Sequence, residues 1–444
     1  MNTPMRSFAL SVIFAIGVVN FVAAQFTEGA TPVESQQWHS FDKTQLSEMF
    51  LSEGASFADF DRDGIQDVVS GAHIYFGPDF QDVIELYSAA PFDIQGYSDN
   101  FFAFPHDVNH DGWVDAFFVG FPGQDAYWLM NPGAEAEESS KIAGDKLVRA
   151  SNGWQRFLAL QPVDNESPQF EDINNDGRPD LLCQSKDRLG WAEYSLEDPQ
   201  SSWTFHPVSA TGTGGRFTHG LGAGDMNGDG RKDLLMKQGW WQQPASLVGD
   251  PEWQFIPYTF AGRGGAQMYV YDVDGDGDAD VITAENAHGY GLAWFERMGN
   301  DLSKRPVEFR KHDILGSVAA DNPYSLVIGN LHAMALVDMD GDGLKDLVTG
   351  ARFWAHGGRD KADHDPSLLY WFELQRTTAG VEYVPHLIDS DCGVGTQVIV
   401  GDLNGDSLPD IVIGNKKGTF VLHHKTQDAS AADGRLQSPN PSPK

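Results

Sequence analysis

Seven times along this chain, carboxylates crowd into one nine-residue pattern, Asp-x-[Asp/Asn]-x-Asp-[Gly/Ser]-x-x-Asp. The copies begin with Asp59, Asp61, Asp63, Asp67 and continue with Asp107, Asn109, Asp111, Asp115. Then come Asp172, Asn174, Asp176, Asp180, followed by Asp225, Asn227, Asp229, Asp233. The fifth is Asp272, Asp274, Asp276, Asp280 and the sixth Asp338, Asp340, Asp342, Asp346. The last is Asp402, Asn404, Asp406, Asp410, with Ser407 in place of the usual Gly. A repeat of this period marks an array or a ring of equivalent units, since one such unit cannot bury its own core. The pattern also absorbs much of the acid in a chain with 64 Asp+Glu against 30 Lys+Arg and a formal charge of −34. With 41% hydrophobic and 12% aromatic residues, that charge does not signal disorder.

Carboxylates and amides at positions 1, 3, 5 and 9 repel one another unless a cation lies between them. Ca²⁺ accepts about 6–8 oxygens in loose geometry, which suits this spacing, and the Gly at position 6 permits the turn. The sequence therefore predicts up to seven structural Ca²⁺ ions. An EF-hand would need Glu at position 12 and flanking helices. Position 12 is Ser70, Phe118, Cys183, Met236, Thr283, Thr349 and Ile413, and the ninth Asp opens runs such as Asp280-Val-Ile-Thr and Asp410-Ile-Val-Ile. Each loop thus joins two strands. An aromatic third strand follows (Gly291–Glu296, Leu368–Glu373), then an alternating fourth (Trp203–Phe205, Trp253–Phe255, Val307–Phe309, Val381–Tyr383). Four short strands per unit, repeated radially, predict an all-β fold, a seven-bladed β-propeller. Trp38–Phe41 reads as a fourth strand preceding the first loop, while the last unit has three strands ending near His424. The N-terminal strand is expected to complete the C-terminal blade.

Seven such loops, with strand ends like Val69-Ser-Gly-Ala72 and Val348-Thr-Gly-Ala351, resemble the FG-GAP/VCBS repeats of integrin-α-type propellers over residues 36–424. The resemblance implies the fold and calcium; the family includes adhesins, lectin-like modules and enzymes. Segments Asn286–Glu296 and His332–Asp338 are similar to the propeller module of aldos-2-ulose dehydratase, which implies lyase chemistry on an oxidised sugar.

Arg6, the apolar run Phe8–Val19 and the small residues Val22-Ala23-Ala24 predict a cleaved secretory signal over 1–24. The propeller is then 25–424, with a disordered Ser/Pro tail at 425–444, and the protein is secreted or periplasmic. No later stretch is long enough to span a membrane. The net charge excludes nucleic acid as a partner. Two cysteines exclude a disulfide framework, and Cys183 sits in an apolar run as a small hydrophobe.

If the acidic loops occupy one end of the blades, the entry to each first strand and the exit from each second strand occupy the other. Six residues before each motif lie Glu53, Phe101, Glu166, His219, Ala266, His332 and Thr396. Six beyond each ninth Asp lie His73, Phe121, Lys186, Gly239, Asn286, Arg352 and Lys416, with His288 and His356 close by. Ionisable residues recurring at one offset predict a ligand site at the channel mouth. The plain alternative is loop residues that face water, and His39, His206, His312 and His386 in or near the fourth strands are read that way. His106 and His110 are expected to be spectators. Trp240, Trp241 and Tyr324 could serve sugar stacking, though propeller Trp more often packs between blades.

Two functions stand. In the first, a carbohydrate lyase or dehydratase acts by β-elimination. His219 or His332 is the base, while Arg352, Lys186 or a further divalent metal stabilises the enolate. His73, Glu53, Glu166, Asn286, His288, His356 and Lys416 bind substrate. In the second, the chain is a non-catalytic extracellular module for a glycan or protein partner. The absence of a nucleophile elbow or phosphate loop removes hydrolase and nucleotide readings.

Overall fold

A computed structural model describes residues 37–133, 137–143, 146–299 and 307–428. The expected signal peptide and most of the tail lie outside the described residues. The main compact body runs from His39 to Thr426; residues 1–38 and 427–434 group separately, with only 37, 38, 427 and 428 described.

The secondary structure is almost wholly strand, arranged as seven sheets. Each acidic loop links a blade's first and second strands: Ala55–Ala58 to Asp67–Ser70 in blade 1, and Phe102–His106 to Asp115–Val119 in blade 2. The same step joins Gln169–Glu171 to Asp180–Ser185 and Leu221–Gly224 to Asp233–Met236 in blades 3 and 4. In blades 5, 6 and 7 it joins Tyr269–Tyr271 to Asp280–Ala284, Met334–Val337 to Asp346–Gly350, and Val398–Gly401 to Asp410–Asn415. The strand Gln37–Ser47 lies at the edge of the blade 7 sheet, beside Gly418–Asp428.

The ring follows from how the second strands are buried. Their side chains alternate between two neighbours, so both faces are apolar. Leu181 and Cys183 pack toward blade 2 while Leu182 packs toward blade 4. Seven apolar clusters result, one at each junction of adjacent blades. The cluster holding Ala55, Val68, Val412 and Val421 joins blade 7 to blade 1 and closes the circle. Trp240 and Trp241 belong to different junctions, which is the packing use of such residues. Both cysteines are buried and free.

The acidic loops are held by their own carboxylates. Asp59 accepts the backbone N–H of Asp63 at 3.1 Å and of Gly64 at 3.0 Å, and Asp63 accepts that of Ile65 at 2.8 Å. Asp172 and Asp176 repeat these bonds in blade 3. The ninth Asp has a second task that the motif alone does not reveal. In six blades its Oδ2 accepts the N–H of the loop's second residue, as Asp67 does from Phe60 at 2.8 Å. In six blades its Oδ1 accepts an N–H in or just past the third strand, as Asp115 does from Asn131 at 2.7 Å. This buried carboxylate therefore ties loop to sheet.

One element was not foreseen. The 65-residue gap between the second and third motifs contains a hairpin, Glu137–Ala143 and Lys146–Asn152, inserted before the last strand of blade 2. It joins the outer edge of blade 1, pairing parallel to Val83–Glu85. That edge is short, and the hairpin covers it. Among the described residues no helix is long and apolar enough to cross a membrane.

Candidate functional site at the channel mouth

At the end of the blades opposite the acidic loops, the chain enters each first strand and leaves each second one. Glu53, Glu166, His219 and His332 stand just before first strands; Asn286, His288 and Arg352 stand just after second strands. Blade 6 has a long connection between Asp346–Gly350 and Leu369–Thr377 that brings His356 and Asp360 to the same place. Its short 3-10 turn, Lys361–His364, is fixed by Asp363, which accepts Asn330 Nδ2 at 2.7 Å and the N–H of Gly358 at 3.0 Å.

Two linked groups form. The first is ionic: Arg352, 2% exposed, places its guanidinium 2.7 Å from Glu53 and 3.6 Å from Glu166. Glu166 also lies 3.3 Å from His219. Burial opposes the Glu166 charge, but His219 and Arg352 outweigh it and hold the carboxyl down at about 2.

The second group is imidazole. His219, His288 and His332 converge edge to face, with ring centroids 4.5–5.4 Å apart. One nitrogen from each lies within 4.8 Å of the others. His288 also stacks on His356 at 4.0 Å, and Asp360 approaches both, at 3.1 and 2.6 Å. Burial, then the neighbouring imidazoles and Arg352, push His288 down to about 3. Burial and the Arg352 charge likewise carry His332 well below 6.5. Both are neutral at physiological pH, the form that ligates a metal.

His332 is the most telling. Its Nδ1 lies 3.3 Å from the carbonyl of Asn330, which selects Nδ1 as the protonated nitrogen. Its Nε2 is then a bare lone pair, buried with no hydrogen-bond partner. A buried acceptor without a partner costs about 1–3 kcal/mol. A divalent metal would remove that cost, and three imidazoles with an open position are a common zinc set.

Above these rings opens a cavity of about 480 Å³. Glu166, His219, Asn286, His288, Arg352 and His356 line it, with Tyr97, Phe121 and Phe217 forming an aromatic wall. Most of the expected mouth residues are thus brought together, with Glu53 joined through Arg352 and His332 through its two ring neighbours. Lys416 packs beside the wall, 4.8 Å from the Tyr97 ring, and donates to the Trp354 carbonyl at 2.9 Å. Burial lowers its pKa. Lys186 is different: it sits exposed in the turn between the second and third strands of blade 3 and does not line the cavity. His73 is buried at the start of a blade 1 strand and does not join the imidazole group. Asp360 was missed because it lies eight residues beyond the offset that found Arg352; the length of its loop was the available signal.

The fourth-strand histidines form another pattern. His206, His312 and His386 stack on Trp191, Trp294 and Trp371 at 4.2–4.4 Å and bond to Glu193, Glu296 and Glu373. His106 and His110 contact the Tyr194 hydroxyl.

Fold and repeats together define a seven-bladed β-propeller with an acidic loop in every blade. Family profiles agree: the FG-GAP-like repeat matches residues 172–236 and the FG-GAP repeat matches 394–432. The chain is thus a seven-bladed β-propeller that carries FG-GAP-type repeats. Human phosphatidylinositol-glycan-specific phospholipase D is 28% identical over 125 residues, covering 26% of this chain and 14% of that protein. The rhamnogalacturonan lyase YesW overlays with TM-score 0.36 and 13% identity, over 89% of this chain and 73% of the other. The V. cholerae biofilm matrix protein Bap1 gives TM-score 0.32 and 12% identity, over 86% and 81%. Overlays at this level transfer neither ligand nor activity.

Proposed function

We propose that this protein is an exported calcium-binding propeller whose mouth binds a carbohydrate-type ligand and eliminates across it as a lyase or dehydratase. The observation that carries the reading is the buried cluster His219, His288 and His332, with the lone pair of His332 Nε2 unused. This donor set fits a divalent metal such as Zn²⁺ or Mn²⁺. When bound, such an ion supplies Lewis acidity toward a sugar carbonyl or carboxylate.

The chain's own residues do the rest. His356, held at Nδ1 by Asp360, leaves Nε2 to accept the proton α to the carbonyl; as the double bond forms, the β C–O bond breaks and the protonated imidazole returns that proton to the departing oxygen. Arg352, committed to Glu53 and Glu166, helps to keep Glu166 ionised. The aromatic wall shelters the reacting carbon from water. Asn286, whose Oδ1 accepts the His288 N–H at 3.1 Å, holds the loop bearing His288.

In the same reading the seven acidic loops bind Ca²⁺. In the all-Asp loops of blades 1, 5 and 6, three carboxylates come together as ligand sets: Asp59/Asp61/Asp67, Asp272/Asp274/Asp276 and Asp338/Asp340/Asp346. Burial pushes Asp67, Asp280 and Asp346 up to about 7, a penalty that a divalent cation relieves.

The test is turnover of oxidised and uronic saccharides by zinc- or manganese-loaded protein, followed by the absorbance of the unsaturated product. His356→Gln should abolish it while leaving bound metal and Tm unchanged. Saccharide binding without any turnover would replace this reading with a non-catalytic glycan-binding module.

A further inference from the structure

The chain has about two carboxylates for every cation, and many of its cations are neutralised. Lys43 pairs with Asp389 at 2.7 Å, Lys232 with Glu171 at 2.9 Å, and Lys311 with Glu285 at 2.9 Å. The cavity at the mouth departs from that pattern. Lys237, Arg263 and Arg359 all line it, and none has a carboxylate partner among the described residues. The one carboxylate in the lining, Glu166, is already committed to Arg352 and His219.

These cations are placed, not merely present. Lys237 Nζ donates to the Arg263 carbonyl at 3.0 Å, which ties the two loops together. Arg359 Nε donates to the His356 carbonyl at 2.8 Å, which sets its guanidinium beside the proposed base. Across the cavity, Phe217 is 45% exposed with φ of 66°, a left-handed conformation rare for a bulky aromatic. Its N–H donates to the Asp164 carbonyl at 2.9 Å, and the Arg216 guanidinium covers its ring at 4.8 Å. An exposed aromatic ring held in a costly conformation beside a cleft marks a ligand surface.

We infer that the mouth takes an anionic saccharide, its negative group gripped by Lys237, Arg263 and Arg359 and a sugar ring lying on Phe217. This rests on the carbohydrate reading above and adds the charge class of the ligand. Concentrated positive charge in a low-dielectric cleft of an acidic protein attracts such a ligand and orients it. Guanidinium forks match a carboxylate or a sulfate equally well, so charge and planar hydrogen bonding are the shared chemistry.

The test is calorimetric titration of the full chain with four probes: an alginate oligosaccharide, its methyl ester, a heparin-type sulfated oligosaccharide and polyglutamate. The alginate or the sulfated probe should bind roughly tenfold or more tightly than the neutral ester, with the gap closing as salt is raised. Binding by the sulfated probe alone would name sulfate as the group. The double variant R263Q/R359Q should weaken the anionic probe by roughly ten- to a hundredfold and leave the ester unchanged. Both arginines are exposed, so circular dichroism should report a native fold; if it does not, Lys237→Gln is the substitute. Equal binding of ester and acid overturns the anionic inference but spares the carbohydrate reading. Binding of no saccharide, or of polyglutamate as tightly as saccharide, overturns both.

Discussion

Replacing Arg352 with Met should unfold the protein more easily than most single changes, for a reason set by its partners. Arg352 is 2% exposed and Glu53 is wholly buried, with their charged atoms 2.7 Å apart. Without the guanidinium, Glu53 keeps a buried charge whose Oε1 has no hydrogen-bond partner. Glu166 keeps only His219, at 3.3 Å. Removing one partner of a buried pair costs about 3–5 kcal/mol. At roughly 2.1 cal/mol/K per residue, a body spanning His39 to Thr426 has an unfolding entropy near ~0.8 kcal/mol/K. The loss therefore corresponds to a Tm drop of about 4–6 °C by scanning calorimetry. The double variant Arg352→Met with Glu53→Gln should recover most of it, since no stranded charge remains. An Arg352→Met protein that melts with the wild type, or a double variant no better than the single, would refute the assignment.

Four further outcomes rest on other contacts. Chelation should lower Tm markedly and calcium should restore it; an unchanged melting curve would remove Ca²⁺ from the account. Calcium titration should show the all-Asp loops of blades 1, 5 and 6 filling first, because ligand charge sets affinity. The loops of blades 3 and 4 should fill last, since Arg178 and Arg231 already engage Asp176 and Asp229 there; seven equal sites would contradict the ordering. Gly395→Ala should cost at least ~2 kcal/mol, because the new methyl carbon would sit 1.9 Å from the Glu53 carbonyl oxygen and 2.1 Å from that of Gly414. Wild-type stability would mean the junction of blades 7 and 1 is looser than described. Trp191→Ala should cost about 3–5 kcal/mol by emptying the junction of blades 3 and 4, and a loss under 1 kcal/mol would argue against that packing.

The blades were legible because a nine-residue motif carries its own punctuation. Its ninth Asp starts a strand, and the apolar run that follows must be buried on both faces. The hairpin Glu137–Asn152 was not legible, because its role is to cover another blade's edge, which no local pattern encodes. At the mouth, counting a fixed offset from each motif found Glu53, Glu166, His219, His332 and Arg352, since the ring imposes equivalent positions on successive blades. The same count promoted Lys186, which the turn Ser185–Arg188 directs to the surface, and it missed Asp360. Arg263, Arg359 and Phe217 escaped notice for a related reason: they lie in connections whose course depends on tertiary contacts.

In the proposed function the three imidazoles form a metal site distinct from the acidic loops. The most direct measurement is zinc titration by calorimetry of calcium-saturated protein, in wild type and in His332→Ala. One zinc per chain is expected in the wild type and none at that affinity in the variant, with calcium stoichiometry and a native circular dichroism spectrum retained. Zinc uptake that is absent from the wild type, or identical in the variant, would contradict it.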